Sequence, residues 1–336
     1  MTGKALALCV ILLGSLGAFI ANLSSGATSI PLDAVFAAFF AFDAENYDHY
    51  VILYQRLPRA LMAIHAGALM ACGGVVLQGL TRNPLASPST LGINSGAAFF
   101  VVAGAYVFDL GTEAQGLAAM AGAAFGFICV LSVARLAGGD KDPRGLSLIL
   151  SGALVSMLLI GLANAFLLSD PARRSDFLGW VTGNINHVYF DRLVLFWPLG
   201  VLALAGLFFL ARPLTLLTLG EEKAASVGVS VRRVPRLALL CVVIGSGSAV
   251  AICGPVGFVG LVVPHVVRPL VGVNMRFALP AAALFGACAC LLADILARQA
   301  FAPYVLHTGI LLDLIGGIVF AVIVKRFYLS PGGQTA

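Results

Sequence analysis

Apolar side chains run along this chain in long blocks with few polar breaks, and the blocks show neither strict alternation nor a single apolar stripe. Ten blocks are long enough to be read as helices, near residues 5-22, 57-80, 93-108, 116-136, 146-168, 193-211, 236-253, 256-271, 278-301 and 306-325. Runs of this length match the roughly 30 Å hydrocarbon core of a bilayer, and the lack of alternation excludes a β-barrel. The pattern predicts an all-α polytopic membrane protein of about ten transmembrane helices in a single transmembrane domain covering 1-336. Composition agrees: 60% of the residues are hydrophobic and 10% charged, against about a quarter charged in soluble domains. The 38 glycines suit close helix packing.

The first block, from Lys4 to Ala21, has the outline of a cleavable signal, but nine more spans follow and a retained first helix is expected. An even number of spans puts both termini on one side. With that side cytoplasmic, fourteen of the twenty basic residues face inward: Lys4, Arg82, Arg135, Lys141, Arg144, Arg212, Lys223, Arg232, Arg233, Arg236, Arg268, Arg276, Lys325 and Arg326. Six face outward: Arg56, Arg59, Arg173, Arg174, Arg192 and Arg298. This bias fits the positive-inside rule. The net charge of +5 therefore reflects topology and points to no nucleic-acid partner.

Short matches between the halves of the chain are consistent with an inverted repeat. Arg56-Leu57-Pro58-Arg59 opens the second span and Arg233-Val234-Pro235-Arg236 the seventh, and Pro84 with Gly92-Ile93-Asn94 parallels Pro264 with Gly272-Val273-Asn274.

One interior stretch breaks the apolar pattern with charge. In "LGEEKAASVGVSVRRV", Leu219 to Val234, the residues Leu219, Ala224, Ala225 and Val227 alternate at helical spacing with Glu221, Glu222 and Lys223, and the rhythm stops at Gly228. The two glutamates fall in a first turn, where the helix dipole favours them. A lipid-surface helix would carry bulky apolar residues opposite lysines. Alanine and valine instead suit a groove on another protein.

At these residues the chain resembles the FecCD-like permeases of ABC importers for ferric siderophores, haem and cobalamin. The stretch looks like their coupling-helix loop, within about 213-235. Three more segments agree in order: "RLPRALMAIHAGALMACGGVVLQGLTRNPLASPSTLGINSGA" (Arg56 to Ala97), "GPVGFVGLVVPHVVRPLVG" (Gly254 to Gly272) and "ALPAAALFGACACLLADILAR" (Ala278 to Arg298). The resemblance implies a permease of the bacterial inner membrane that pairs with a second copy or a paralogue. Its other implied partners are two cytoplasmic ABC ATPase subunits, a periplasmic substrate-binding protein and the membrane lipid. It assigns ATPase coupling to Leu219, Gly220, Glu221, Glu222, Ala224, Ala225, Val227 and Gly228, and binding-protein docking to Arg56, Arg59 and Arg298. The chain carries no G-x-x-x-x-G-K-[ST] loop, so ATP and Mg are expected on the partner ATPase, with no cofactor bound here and no enzymatic activity of its own.

Other residues are read as structural. Asn83 and Pro84 form a turn after the second span, and Gly254, Pro255 and Gly257 break the chain between spans seven and eight, with Pro264 inside the eighth. His265 has no second ligand at helical spacing and is expected to be hydrogen-bonded. The seven cysteines lie in apolar runs and follow no metal-ligand spacing.

Asp294 stands one helical turn from Arg298 and could pair with it. The last span, "VLHTGILLDLIGGI", departs from the family pattern by placing Val305, His307, Asp313 and Ile318 where an acid, a proline, a small residue and a second proline are usual. Ionisable groups inside spans invite a functional reading. A competing assignment is therefore an ion-coupled secondary transporter using Asp294, His307 and Asp313. A membrane enzyme lacks support, as there is no H-E-x-x-H.

Overall fold

A computed structural model describes residues 2–26, 28–138, 146–186, 190–300 and 304–327. Lys141, Arg144 and Phe301, the last residue expected of span nine, lie outside the described residues, as do the side chains of Arg173 and Arg326. In chain order the helices are α1 (Thr2–Ser24), α2 (Leu32–Phe40), α3 (Tyr47–Tyr50), α4 (Leu57–Thr81), α5 (Ile93–Phe108), α6 (Thr112–Leu136), α7 (Leu146–Ser169) and α8 (Pro171–Val181). They continue with α9 (Phe190–Phe209), α10 (Ala211–Thr218), α11 (Glu221–Ser226), α12 (Arg233–Cys253), α13 (Val259–Val271), α14 (Met275–Gln299) and α15 (Thr308–Phe327). A π-helical segment, Val51–Arg56, joins α3 to α4.

Each expected span has a helix. Among the described residues, however, only seven helices are both long and apolar enough to cross a membrane, and Ile93–Phe108, Val259–Val271 and Thr308–Val322 fall short. With 16 and 13 residues, α5 and α13 reach about 24 and 20 Å at 1.5 Å per residue. One end of each must therefore lie at membrane depth. Irregular backbone is tolerated there only inside protein or along a cavity. The segment before α5 obeys this, with Asn83, Ala86, Ser87 and Leu91 all buried. Helices α2, α8 and α10 were not foreseen, because none is a long apolar run.

Helices α4 and α14 pack along each other in the middle of the bundle, with α1 outside α14 and with α12 and α13 against α4. Helices α5 and α6 also cross in backbone contact. Gly92 and Gly96 on one strand of this pair face Gly126 and Gly122 on the other, and a Cβ at Gly96, Gly122 or Gly126 would strike the facing carbonyl. Each helix thus offers a G-x-x-x-G step, the arrangement that brings two membrane helices into backbone contact.

The two ends of the bundle follow from contacts. Lys4 lies over the Phe277 ring at 5.7 Å, and Gly79 on α4 lies near Met275 and Thr218. The start of α1, the ends of α4 and α10, the start of α14 and hence α11 share one end. Asn22, Ser25, Arg56 and Arg298 meet at the other.

The repeat is echoed in part. Pro58 and Pro235 both sit in the first turn of their helices, and Gly92 and Gly272 both have positive φ, 77° and 82°. The asparagines differ: Asn274 caps α14 by accepting from the Arg276 N–H, whereas Asn94 donates to the Val256 carbonyl.

Candidate functional site

Three regions carry the residues singled out from the sequence. The first is the arginine-rich end. Asp294 on α14 is fully buried and accepts from Arg59 Nη2 at 2.7 Å, Arg298 Nε at 3.1 Å and Asn22 Nδ2 at 3.1 Å. The expected Asp294 and Arg298 pairing is present, and Arg59 joins it. Two guanidiniums share one carboxylate, so their remaining donors need other acceptors. Arg298 donates to the carbonyls of Ser25 (2.7 Å) and Asn22 (3.1 Å), and Arg56 to those of Leu23 (2.8 Å), Ser24 (2.6 Å) and Thr28 (2.6 Å).

Those of Asn22, Leu23 and Ser24 end α1, and those of Ser25 and Thr28 follow it. The last four C=O groups of a helix have no partner within it, and cations are favoured beside them. Side chains from α4, its lead-in and α14 thus cap α1. That tie, with Ser15 donating to the Leu284 carbonyl, builds the first helix into the bundle. The three arginines expected to dock a binding protein thus also hold the fold together at this end. Arg56 and Arg59 are 5% and 8% exposed, and all three guanidiniums are held by internal acceptors. The arginine trio was legible as a group, but its partner Asp294 lies 235 residues from Arg59.

The second region is α11. Its six residues fall inside the expected stretch from Leu219 to Gly228 and are bounded by Gly220 (φ 129°) and Gly228 (φ 84°). The Val229 N–H returns to the Ala224 carbonyl and the Gly228 N–H to that of Ala225, both at 3.0 Å, which is a Schellman stop with Gly228 in the left-handed position. Ala224 is buried against the preceding helix α10. Glu221, Glu222, Lys223 and Ala225 are exposed, with Leu219 and Val227 at 59% and 62%. The apolar residues expected on one face therefore divide: one alanine anchors the helix, and the rest face outward. Helix α10 in turn is fastened to α14 through Thr215 Oγ1, which accepts from the Met275 N–H at 3.0 Å.

The third region was not foreseen. A cavity of about 480 Å³ opens where irregular backbone from several elements meets, lined among others by Ser89, Thr90, Asn94, Ser156, Thr182 and Asp313. Gly254 (φ 73°) and Gly183 (φ 74°) lie back to back beside it, and a Cβ on either would strike the carbonyl of Trp180 or Pro255 respectively. The Asn184 N–H donates to the Cys253 carbonyl at 2.8 Å and the Gly309 N–H to that of Gly183 at 2.9 Å. The break at Gly254, Pro255 and Gly257 is thus bonded to the link after α8 and to the start of α15. Phe258 is held at φ +57°, which is costly for a bulky residue, with its ring against Gly316 and Gly317. Gly183 and Gly309 could have been sought as glycines flanking spans; the hydroxyls carry no periodic signal.

Asp313 reaches this cavity, and its carboxylate lies against the Cα of Gly257, where a side chain would collide. His307 packs against Gly179 and does not line the cavity. With Asp294 already holding two arginines and an asparagine, the three groups of the ion-coupled reading are not assembled into one site. Asn83 folds back as expected, its Oδ1 accepting from the Leu85 N–H at 2.9 Å ahead of buried Ala86. His265 bonds the Leu261 carbonyl at 2.8 Å, one residue after Pro264 within α13.

Comparison with known proteins agrees with this architecture. The chain is 37% identical over 314 residues to the iron(3+)-hydroxamate import system permease protein FhuB of Bacillus subtilis, covering 93% of this chain and 80% of that one. It is 34% identical over 317 residues to the Fe(3+) dicitrate transport system permease protein FecD of Escherichia coli (94% and 97%), and 35% identical over 308 residues to the ferric enterobactin transport system permease protein FepD of the same organism (91% and 90%). A solved metal-chelate type ABC transporter in an inward-facing conformation superposes with a TM-score of 0.78 at 28% identity, covering 96% of this chain and 99% of that one. A profile of the FecCD transport family matches residues 11–326, and the chain belongs to that family.

Proposed function

We propose that this chain is the membrane-spanning permease of a binding-protein-dependent, ATP-driven importer that moves a ferric chelate into the cytoplasm. The observation that carries the reading is α11: a charged helix fixed by glycines at both ends, one alanine buried against α10, its other residues exposed among the described residues. Such a rigid element can receive a rigid-body push. The push passes through Ala224 to α10, and from Thr215 to the start of α14.

The partners follow. Two ATPase subunits take α11, a binding protein delivers the chelate at the end where Arg56 and Arg298 cap α1, and a second copy or paralogue covers α7 and α15. On those two helices Leu154, Met157, Leu158, Leu314 and Ile318 are exposed, and Asp313 is exposed on the same helix as the last two. A carboxylate facing lipid is expensive, so a protein neighbour or water is the favourable surrounding. With α11 and the chain start at a cytoplasmic end, the basic residues Lys4, Arg82, Arg212, Arg232, Arg233, Arg236 and Arg276 lie at that end, which supports the inner membrane with both termini inside.

Iron as cargo is supported by relatives that carry hydroxamate, citrate and enterobactin chelates, which share the metal and differ in the ligand. The test is uptake of labelled ferric chelate in cells, with the ATPase co-purified on a tagged chain. Disruption of Glu221 to Val227 is expected to abolish both uptake and co-purification. Uptake that survives this change and collapses with an ionophore would establish the ion-coupled carrier instead.

A further inference from the structure

The polar groups that the cavity offers to a passing solute, set among apolar ones such as Ile160, Phe258 and Leu261, all accept hydrogen bonds, and one of them is a carboxylate. Asp313 supplies a carboxylate, and Ser89, Thr90, Ser95, Ser156 and Thr182 supply hydroxyls. The Asn94 amide donates its N–H to the Val256 carbonyl at 3.1 Å, leaving a buried Oδ1 that accepts nothing. Among the described residues, neither lysine nor arginine lines the space. Asp313 is moreover not neutralised in the way Asp294 is: Asp294 holds Arg59 and Arg298, while the Asp313 oxygens pack against the bare Cα of Gly257. The carboxylate is therefore the dominant fixed charge of a pore-sized space built from broken helices, the setting in which transporters bind and pass their cargo.

Charge at such a position discriminates between chelates that share iron. Three hydroxamates, each singly charged, neutralise a ferric ion, whereas three catecholates, each doubly charged, leave the complex trianionic, and citrate complexes are also anionic. An anion passing Asp313 meets like-charge repulsion in a medium of lowered dielectric, and an ammonium group meets attraction.

We infer that Asp313 and the acceptor-lined cavity beside it form a charge filter that favours ferric chelates bearing an ammonium group, and neutral ones next, over anionic chelates. The inference rests on the importer reading above and narrows its substrate class. It makes Asp313 a specificity-determining residue.

The test compares uptake of a linear ferric trihydroxamate that ends in a free amine with uptake of the same compound N-acetylated. The two differ in charge and barely in size. The assay uses cells expressing the whole transporter, so that the binding protein is identical in every arm. Wild type is expected to take up the amine form about fivefold faster, on the order of one partly screened charge interaction. D313N should bring the ratio near one while still transporting the acetylated compound, and D313E should retain the preference. Because the readout is a ratio within each variant, a change in protein level cancels.

An unchanged ratio in D313N overturns the filter. Should D313N fail to accumulate, D313E and Asn94→Asp decide the matter: the second carboxylate is expected to raise the ratio further, and a ratio it leaves unmoved also overturns the filter. If wild type takes up neither compound nor any other ferric chelate, the importer reading itself fails and the filter falls with it.

Discussion

The two ends of this molecule use charged residues of both signs for opposite purposes. At one end Arg56, Arg59, Arg298 and Asp294 are turned inward, and their hydrogen bonds close on one another and on the carbonyls that end α1. At the other, Glu221, Glu222 and Lys223 stand exposed on a helix of six residues, anchored by a single alanine. The difference is where the counter-charge sits. A buried charge with an internal partner ties helices together and is costly to disturb. An exposed charge contributes little to the fold and leaves its interaction energy for a partner.

The comparison breaks most readily at Asp294. Asp294→Ala removes the carboxylate shared by Arg59 and Arg298 and leaves two buried guanidiniums without counter-charge. Loss of about 3–5 kcal/mol is expected, seen as a fall on the order of 10 °C in the unfolding midpoint of the purified chain in detergent. A midpoint within about 2 °C of wild type would show that this end is no more integrated than α11.

Arg56→Ala comes next. It removes the Arg56 donors from the Leu23, Ser24 and Thr28 carbonyls, leaving that of Ser24 its bond from the Ile30 N–H, and about 2–3 kcal/mol should be lost. This variant separates capping from docking. Measured on the chain alone, capping lowers stability with no binding protein present, whereas a docking role leaves stability intact and weakens only the capture of the loaded binding protein.

How these regions stood in the sequence explains what could be read and what could not. Ten helices were legible because a bilayer-crossing run of apolar residues needs no partner to be recognised. The short α2, α8 and α10 were not, since their length and interruptions match loop segments equally well. The α11 stretch stood out because five charges in an apolar chain are conspicuous, and its glycine stops lie within the same few residues. Opposite circumstances hid the arginine network. Arg59 and Asp294 meet only after the chain has crossed the membrane repeatedly, so the sequence displayed the Asp294 and Arg298 pair, one helical turn apart, but not the Arg59 that joins it. The cavity is the extreme case: its hydroxyls come from the lead-in to α5, from α5 itself, from α7 and from the link after α8, its carboxylate from α15, and no segment alone announces it.

A smaller effect on the fold is expected at Gly228. Gly228→Val forces a β-branched residue into φ 84° and costs about 1–2 kcal/mol of local strain. The stop of α11 then unravels without reaching the bundle. Chelate uptake should fall about tenfold while the unfolding midpoint moves by no more than a few degrees. A fall in the midpoint matching that of Asp294→Ala would mean that α11 is part of the core.

Glu222→Lys should change the fold least and sharpens the contrast furthest. Glu222 is exposed in the first turn of a very short helix, where the dipole contributes only a few tenths of a kcal/mol. Reversing its charge is expected to shift stability by less than about 0.5 kcal/mol, within the range of ordinary surface changes. Yet a reversed charge in a protein groove meets like-charge repulsion where it formerly met attraction, so the ATPase retained on a tagged chain should drop severalfold, more steeply at low than at high salt because screening shortens the reach of the repulsion. Retention that is lost equally at both salt concentrations would assign the contact to the apolar residues Leu219 and Val227, with the glutamate as bystander. Stability lost without any change in retention would reverse the division of labour between the two ends.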